Sequence, residues 1–142
     1  MRHFNLTEFD SKDVPGSGCH MDVNFLKMID LARSYAGVPF IITNGFRTPE
    51  YQEDLKRRGY QVAQNSSHLI GKAADIAAPD HTKKAIIDGL YQAGFRRIGI
   101  GRTFIHCDND SAKVNPAVWG YTGTDQIWLN YARNVFLNTR MA

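Results

Sequence analysis

Three stretches of the chain place apolar residues at helical spacing. Phe25, Leu26, Ile29 and Ala32 recur at i, i+1, i+4 and i+7 behind Asp22, a good N-cap, until Gly37 stops the pattern. Ile86, Ile87, Leu90 and Tyr91 share one face of a helix that opens near Asp80 and ends at Gly94. Ile127, Trp128, Tyr131, Val135 and Phe136 define a third, from Asp125 to Arg140. Thr48 followed by Pro49 predicts a further short helix ending at Gly59, because a capping side chain precedes a proline whose φ suits the first turn. Between these lie strand-like runs: Pro39 to Thr43, the small-residue run Ala73 to Ala77, Arg97 to Gly101 and Thr103 to Asp108. Helices and strands mix without a strict βαβ rhythm. The pattern predicts an α+β domain with a small antiparallel sheet flanked by helices. Residues 1–21, with the Pro15-Gly16-Ser17-Gly18 turn, read as an irregular N-terminal segment.

Composition narrows the class. A chain of 142 residues without repeats or a long linker is the size of one domain, 1–142, and buries about 70% of its unfolded surface. Its apolar runs, such as Val38 to Ile42, fall far short of the roughly 20 residues a membrane helix needs. The first residues carry Glu8, Asp10 and Asp13 where a secretory signal would be apolar, so a protein made in the cytoplasm without a signal peptide is expected. The net charge of +3 and pI near 9.0 suit a polyanionic partner, either nucleic acid or anionic cell wall, but also suit a merely solvated surface. No run of five like charges points to a nucleic-acid tail. Cys19 and Cys107 are too few for a disulfide scaffold and are expected as free thiols.

Candidate chemistry gathers at three places. In Ser66-Ser67-His68-Leu69-Ile70-Gly71-Lys72-Ala73-Ala74-Asp75, seven extended residues would hold His68 and Asp75 roughly 23 Å apart. Gly71 permits a sharp reversal, and small Ala73 and Ala74 leave room, so the two side chains can meet at a zinc-like metal. A surface histidine and a capping aspartate explain the same pair. In Phe104-Ile105-His106-Cys107-Asp108, strand alternation puts His106 and Asp108 on one face and Cys107 in the core. His106 would complete a two-histidine, one-carboxylate set with an open fourth position, which catalytic zinc uses. Arg47, in the turn before the Thr48–Pro49 helix start, is placed to bind a carboxylate or oxyanion with its planar fork, or else backbone carbonyls. His3, His20 and His81 read as solvated, and Trp119 and Tyr121 as core, with aromatic walls of a substrate groove as their alternative.

Ser66-x-His68-x-x-Gly71-x-Ala73-x-Asp75, followed about thirty residues later by His106-x-Asp108, resembles the zinc D-alanyl-D-alanine carboxypeptidase family of the hedgehog/DD-peptidase fold group. Gly45-Phe46-Arg47-Thr48-Pro49-Glu50-Tyr51 resembles the arginine turn of that family, and the likeness runs from about Asp22 to Trp119. The opening Phe4-Asn5-Leu6-Thr7-Glu8-Phe9 is similar to small bacteriophage members.

The resemblance implies one zinc per chain on His68, Asp75 and His106, with Arg47 and Ser66 binding substrate and Arg47 also steadying the attacked carbonyl. It implies hydrolysis of peptidoglycan stem peptides or cross-links, of carboxypeptidase or endopeptidase (endolysin) type, by a monomer with no nucleic-acid partner. Such an enzyme reaches the wall after release or within a phage particle. Several relatives carry a catalytic acid three residues before the second histidine; Thr103 stands there and cannot serve, so Asp108 is expected as the proton acceptor, with a carboxylate that orients His106 as the competing role. The rival reading is a zinc-containing binding module that has lost catalysis.

Overall fold

The computed structural model of the protein describes residues 1–138. Four α-helices are present among these residues: α1 (Val23–Ala36), α2 (Pro49–Arg57), α3 (Asp80–Gln92) and α4 (Gln126–Leu137). Each expected start is where local chemistry places it. The Asp22 side chain accepts from the Phe25 N–H and Thr48 from the Tyr51 N–H, each satisfying a donor that the first turn leaves open. Gly37, in the left-handed conformation, closes α1. The expected continuation of α4 to Arg140 runs into residues 139–142, outside the described region. Ile127 is exposed; Leu129, Ala132 and Phe136 form the buried face of α4.

The strands β1 (Ile42–Asn44), β2 (Ala73–Ala77), β3 (Arg97–Ile100), β4 (Phe104–Asp108) and β5 (Ala117–Gly120) form one sheet in the order β1-β2-β4-β3-β5. The first four are antiparallel, as expected. The fifth, which the hydrophobic pattern does not announce, joins the edge parallel to β3, so the sheet is mixed. The strand expected from Pro39 begins only at Ile42; before it, Phe40 is buried in the core and Ile41 faces solvent.

One face of the sheet packs on the helices. Ala74, Ile76, Ile98, Ile100, Ile105 and Cys107 meet Phe25, Ile29, Ile86, Ile87 and Leu90 in one apolar cluster. Cys107 is buried there as a free thiol, and burial pushes its pKa well above the usual range. The irregular N-terminal segment is packed rather than loose. Phe9 is fully buried, worth about 1.5–3 kcal/mol, and its carbonyl accepts from the Phe46 N–H in the arginine turn. The other face of the sheet is the one that carries chemistry. Strand register aligns Asp75 on β2 with His106 on β4, His106 with Gly99 on β3, and Gly99 with Trp119 on β5.

Candidate active site

His68 reaches Asp75 through the reversal that Gly71 permits. A 3-10 turn over Ser67–Ile70 is capped by Ser66, whose hydroxyl accepts from the His68 N–H, and it ends at Gly71 with φ +71°. A side chain at Gly71 would be strained at that φ and would also strike the His20 carbonyl. The turn carries His68 Nε2 to 3.4 Å from Asp75 Oδ1. His106, opposite Asp75 in the ladder, brings Nδ1 to 3.0 Å from the same oxygen. One ligand atom from each of the three residues falls within a 4.8 Å group.

The far nitrogens decide what this group can do. His68 Nδ1 lies 2.8 Å from the Gly45 carbonyl, which can only accept, so the hydrogen of a neutral ring sits on Nδ1 and Nε2 is bare. His106 Nε2 lies 2.8 Å from Asp108 Oδ2, which leaves Nδ1 bare in the same way. Asp108 is itself committed: Oδ1 accepts from Arg97 Nε at 2.7 Å and from the Asp110 N–H at 3.2 Å. Although burial raises the Asp108 pKa, the His106 and Arg97 bonds outweigh it and hold the carboxyl below its usual range. Two ring lone pairs and a carboxylate oxygen therefore face one another in a buried space. Such a set needs positive charge at its centre. Without a metal a proton fills part of that need: burial lowers the His106 pKa, yet bonds to Asp108 and Asp75 prevail and push it up to about 9. Burial likewise raises Asp75, but the His68 charge and the His106 and His68 bonds hold it well below the carboxylate range. Two imidazoles and one carboxylate fit zinc by donor type, with the far-nitrogen bonds fixing each ring for the purpose.

A cavity of about 910 Å³ opens over this group. Arg47 forms part of its wall from the turn before α2, with its N–H on the His68 carbonyl. Nη1 donates to Gln52 Oε1 at 2.8 Å, whereas the buried Nε has no hydrogen-bond partner among the described residues. Burial lowers the guanidinium pKa, opposed by Asp75, Tyr51 and Tyr121. Ser66 also lines the cavity, and Lys113 stands on its wall with Nζ 2.9 Å from Ser67 Oγ. Asp75 and Asp108 are the only carboxylates that line it among the described residues, and Asp108 touches the side of His106 turned away from Asp75. Both Asp108 carboxylate oxygens are thus engaged, Oδ2 with His106 and Oδ1 with Arg97 and the Asp110 N–H. Thr103 lines the cavity at the position where relatives carry an acid.

Two expectations require correction or completion. Trp119 and Tyr121 are not core residues: both line the cavity, and the Trp119 ring lies 5.4 Å from that of His106. Trp119 sits on, and Tyr121 just beyond, an edge strand whose pairing is parallel and long-range, which short-range pattern does not reveal. Gln52 was not singled out, although it joins the Arg47 guanidinium to the Ala63 carbonyl of the cavity wall through its Oε1 and Nε2. A lone glutamine among the five charged residues of Pro49-Glu-Tyr-Gln-Glu-Asp-Leu-Lys-Arg57 is the sequence signal that points to it. His20 and His81 are exposed and His3 is bonded to Ser34 Oγ; none lines the cavity.

The fold and this cluster fit a metallopeptidase. The chain belongs to the peptidase M15 family, zinc metallopeptidases, whose family model matches residues 2–108. That span holds His68, Asp75, His106, Arg47 and Asp108 and ends before β5. No curated relative matches the chain with significance. No helix among the described residues is long and apolar enough to cross a membrane.

Proposed function

We propose that the chain is a zinc peptidase that cleaves peptide bonds in peptidoglycan stem peptides or their cross-links, binding one ion per chain on His68 Nε2, Asp75 Oδ1 and His106 Nδ1. The observation that carries this reading is the inward-facing trio of ligand atoms, within 4.8 Å of one another, beneath a cavity whose wall holds a buried arginine with an unpartnered Nε. Zinc in such a site supplies Lewis acidity and a hydroxide nucleophile at neutral pH. The chain's own groups do the rest. Arg47 offers its free Nε–H to the substrate carbonyl or carboxylate, with Gln52 fixing the guanidinium plane. Ser66 holds the His68 turn and adds a hydroxyl to the wall. Lys12, Arg58 and Lys113 make the cavity basic, which suits stem peptides bearing free carboxylates. In this reading the domain works as a monomer on the cell wall, after release or from a phage particle.

Asp108 serves as the carboxylate that orients His106. Asp108→Asn keeps the shape and removes the charge that fixes Nε2–H. Zinc affinity should fall about 10–100-fold, with activity partly restored by excess zinc. Unchanged affinity with turnover down by about 10²–10⁴-fold would instead mark Asp108 as the base. Because neither carboxylate in the cavity is free, the rival reading of a binding module without catalysis has a specific basis. Purified peptidoglycan separates the two. The enzyme reading requires new amino groups to appear on incubation, to stop appearing with a chelator, and to return with zinc. Binding to the wall without any such release would support the module.

A further inference from the structure

We propose that Tyr121 is a catalytic residue of this site, its phenol donating a hydrogen bond to the scissile carbonyl oxygen as that oxygen gains negative charge. The proposal rests on the peptidase reading above and deepens it. It begins with a missing side chain. In the cross-sheet row Asp75–His106–Gly99–Trp119, Gly99 alone lacks a Cβ. A Cβ built there would lie 2.6 Å from Trp119 Nε1 and 2.7 Å from Tyr121 Cε2, too close for either ring to remain. Trp119 and Tyr121, two apart on one face at the end of β5, therefore lie over a bare strip of β3.

This arrangement brings both rings from the sheet edge toward the reaction centre. Trp119 packs against His106. Tyr121 is backed by the Phe104 ring at 5.0 Å, and its backbone is pinned by the Tyr121 N–H donating to the Ile100 carbonyl at 3.0 Å. Tyr121 lines the same cavity as Asp75, Asp108 and Arg47. Burial first, then the two carboxylates, push its pKa up to about 12 against the opposing effects of Trp119 and Arg47. At neutral pH the group is a protonated phenol, which can donate and does not compete as an anion. A developing oxyanion gains from such a donor more than a neutral carbonyl does, so the contact acts on the rate rather than on ground-state binding. Tyr121 also lies beyond the residues 2–108 that the family model matches, so this donor is supplied by a separate part of the chain.

Tyr121→Phe tests the proposal, since it keeps the ring over Gly99 and removes only the hydroxyl. The readouts are kcat and KM on the peptidoglycan fragment that the wild type cleaves fastest, zinc content, and the affinity of a phosphinate dipeptide matched to that bond. The expected result is kcat lower by about 10²–10³-fold with KM nearly unchanged. Phosphinate affinity should fall by a similar factor, and zinc content and melting temperature should stay at wild-type values. Gly99→Ala, which removes no functional group, should lower kcat in the same direction by displacing both rings. Wild-type kcat in Tyr121→Phe, or a loss carried wholly by KM, would overturn the proposal. A wild type that neither cleaves any fragment nor binds the phosphinate would overturn the peptidase reading itself, and this proposal with it.

Discussion

His68→Ala and His106→Ala should each leave the protein without stoichiometric zinc and without peptidase activity. Three protein ligands give no redundancy, and an alanine leaves only one imidazole beside Asp75. The two variants should differ in their effect on the fold. His68 gives its far nitrogen to a backbone carbonyl, Gly45 O, at a turn already held by Ser66 and Gly71. His106 lies between two buried carboxylates, bonding Asp75 at 3.0 Å and Asp108 at 2.8 Å. Removing it uncovers both acids. Breaking a buried charged network by deleting one partner typically costs about 3–5 kcal/mol, so His106→Ala should also lower the melting temperature, and His68→Ala much less. Elemental analysis after gel filtration, paired with thermal melts, checks both claims. A full complement of zinc in either variant would remove that histidine from the site.

Arg47→Lys should keep zinc and fold yet lose activity by about 10²–10³-fold, the scale on which removal of one oxyanion donor is felt. The ammonium of lysine can replace the bond to Gln52 Oε1 or the contact with substrate, but one point charge does not reproduce a planar fork that does both. The unpartnered Nε, in a residue only 8% exposed, is the observation behind the proposed substrate role of Arg47. A donor so deeply buried without a partner is costly unless a ligand completes it. Steady-state kinetics with zinc content measured on the same sample test this, and wild-type turnover in Arg47→Lys would make the residue structural.

Much of this architecture was legible because its signals are local. The Asp22 cap, the Gly37 stop and the Thr48–Pro49 start each depend on a few adjacent residues, and α1 and α2 begin where those residues place them. Strand alternation separates Cys107, buried in the apolar core, from His106 and Asp108 on the opposite face. Gly71 is the one position at which the His68 segment could turn back on Asp75, and its φ is positive. What escaped the sequence depends on contacts across the fold. β5 forms by parallel pairing with β3, and its four residues, Ala-Val-Trp-Gly, show no apolar alternation. Alternation also does not say which His106 nitrogen Asp108 touches. That contact, through Nε2, is the basis of the proposed orienting role of Asp108. Gln52 gains its meaning only when Arg47 and Ala63 stand at its two ends.

The central claim is that His68, Asp75 and His106 hold one zinc ion. An anomalous difference map from crystals of the zinc-loaded protein, collected on both sides of the zinc absorption edge, tests it most directly. The account predicts one peak per chain, bonded to His68 Nε2, Asp75 Oδ1 and His106 Nδ1, with Asp108 against the far side of the His106 ring. A map with no peak among these atoms, or with its peak on other residues, would contradict it.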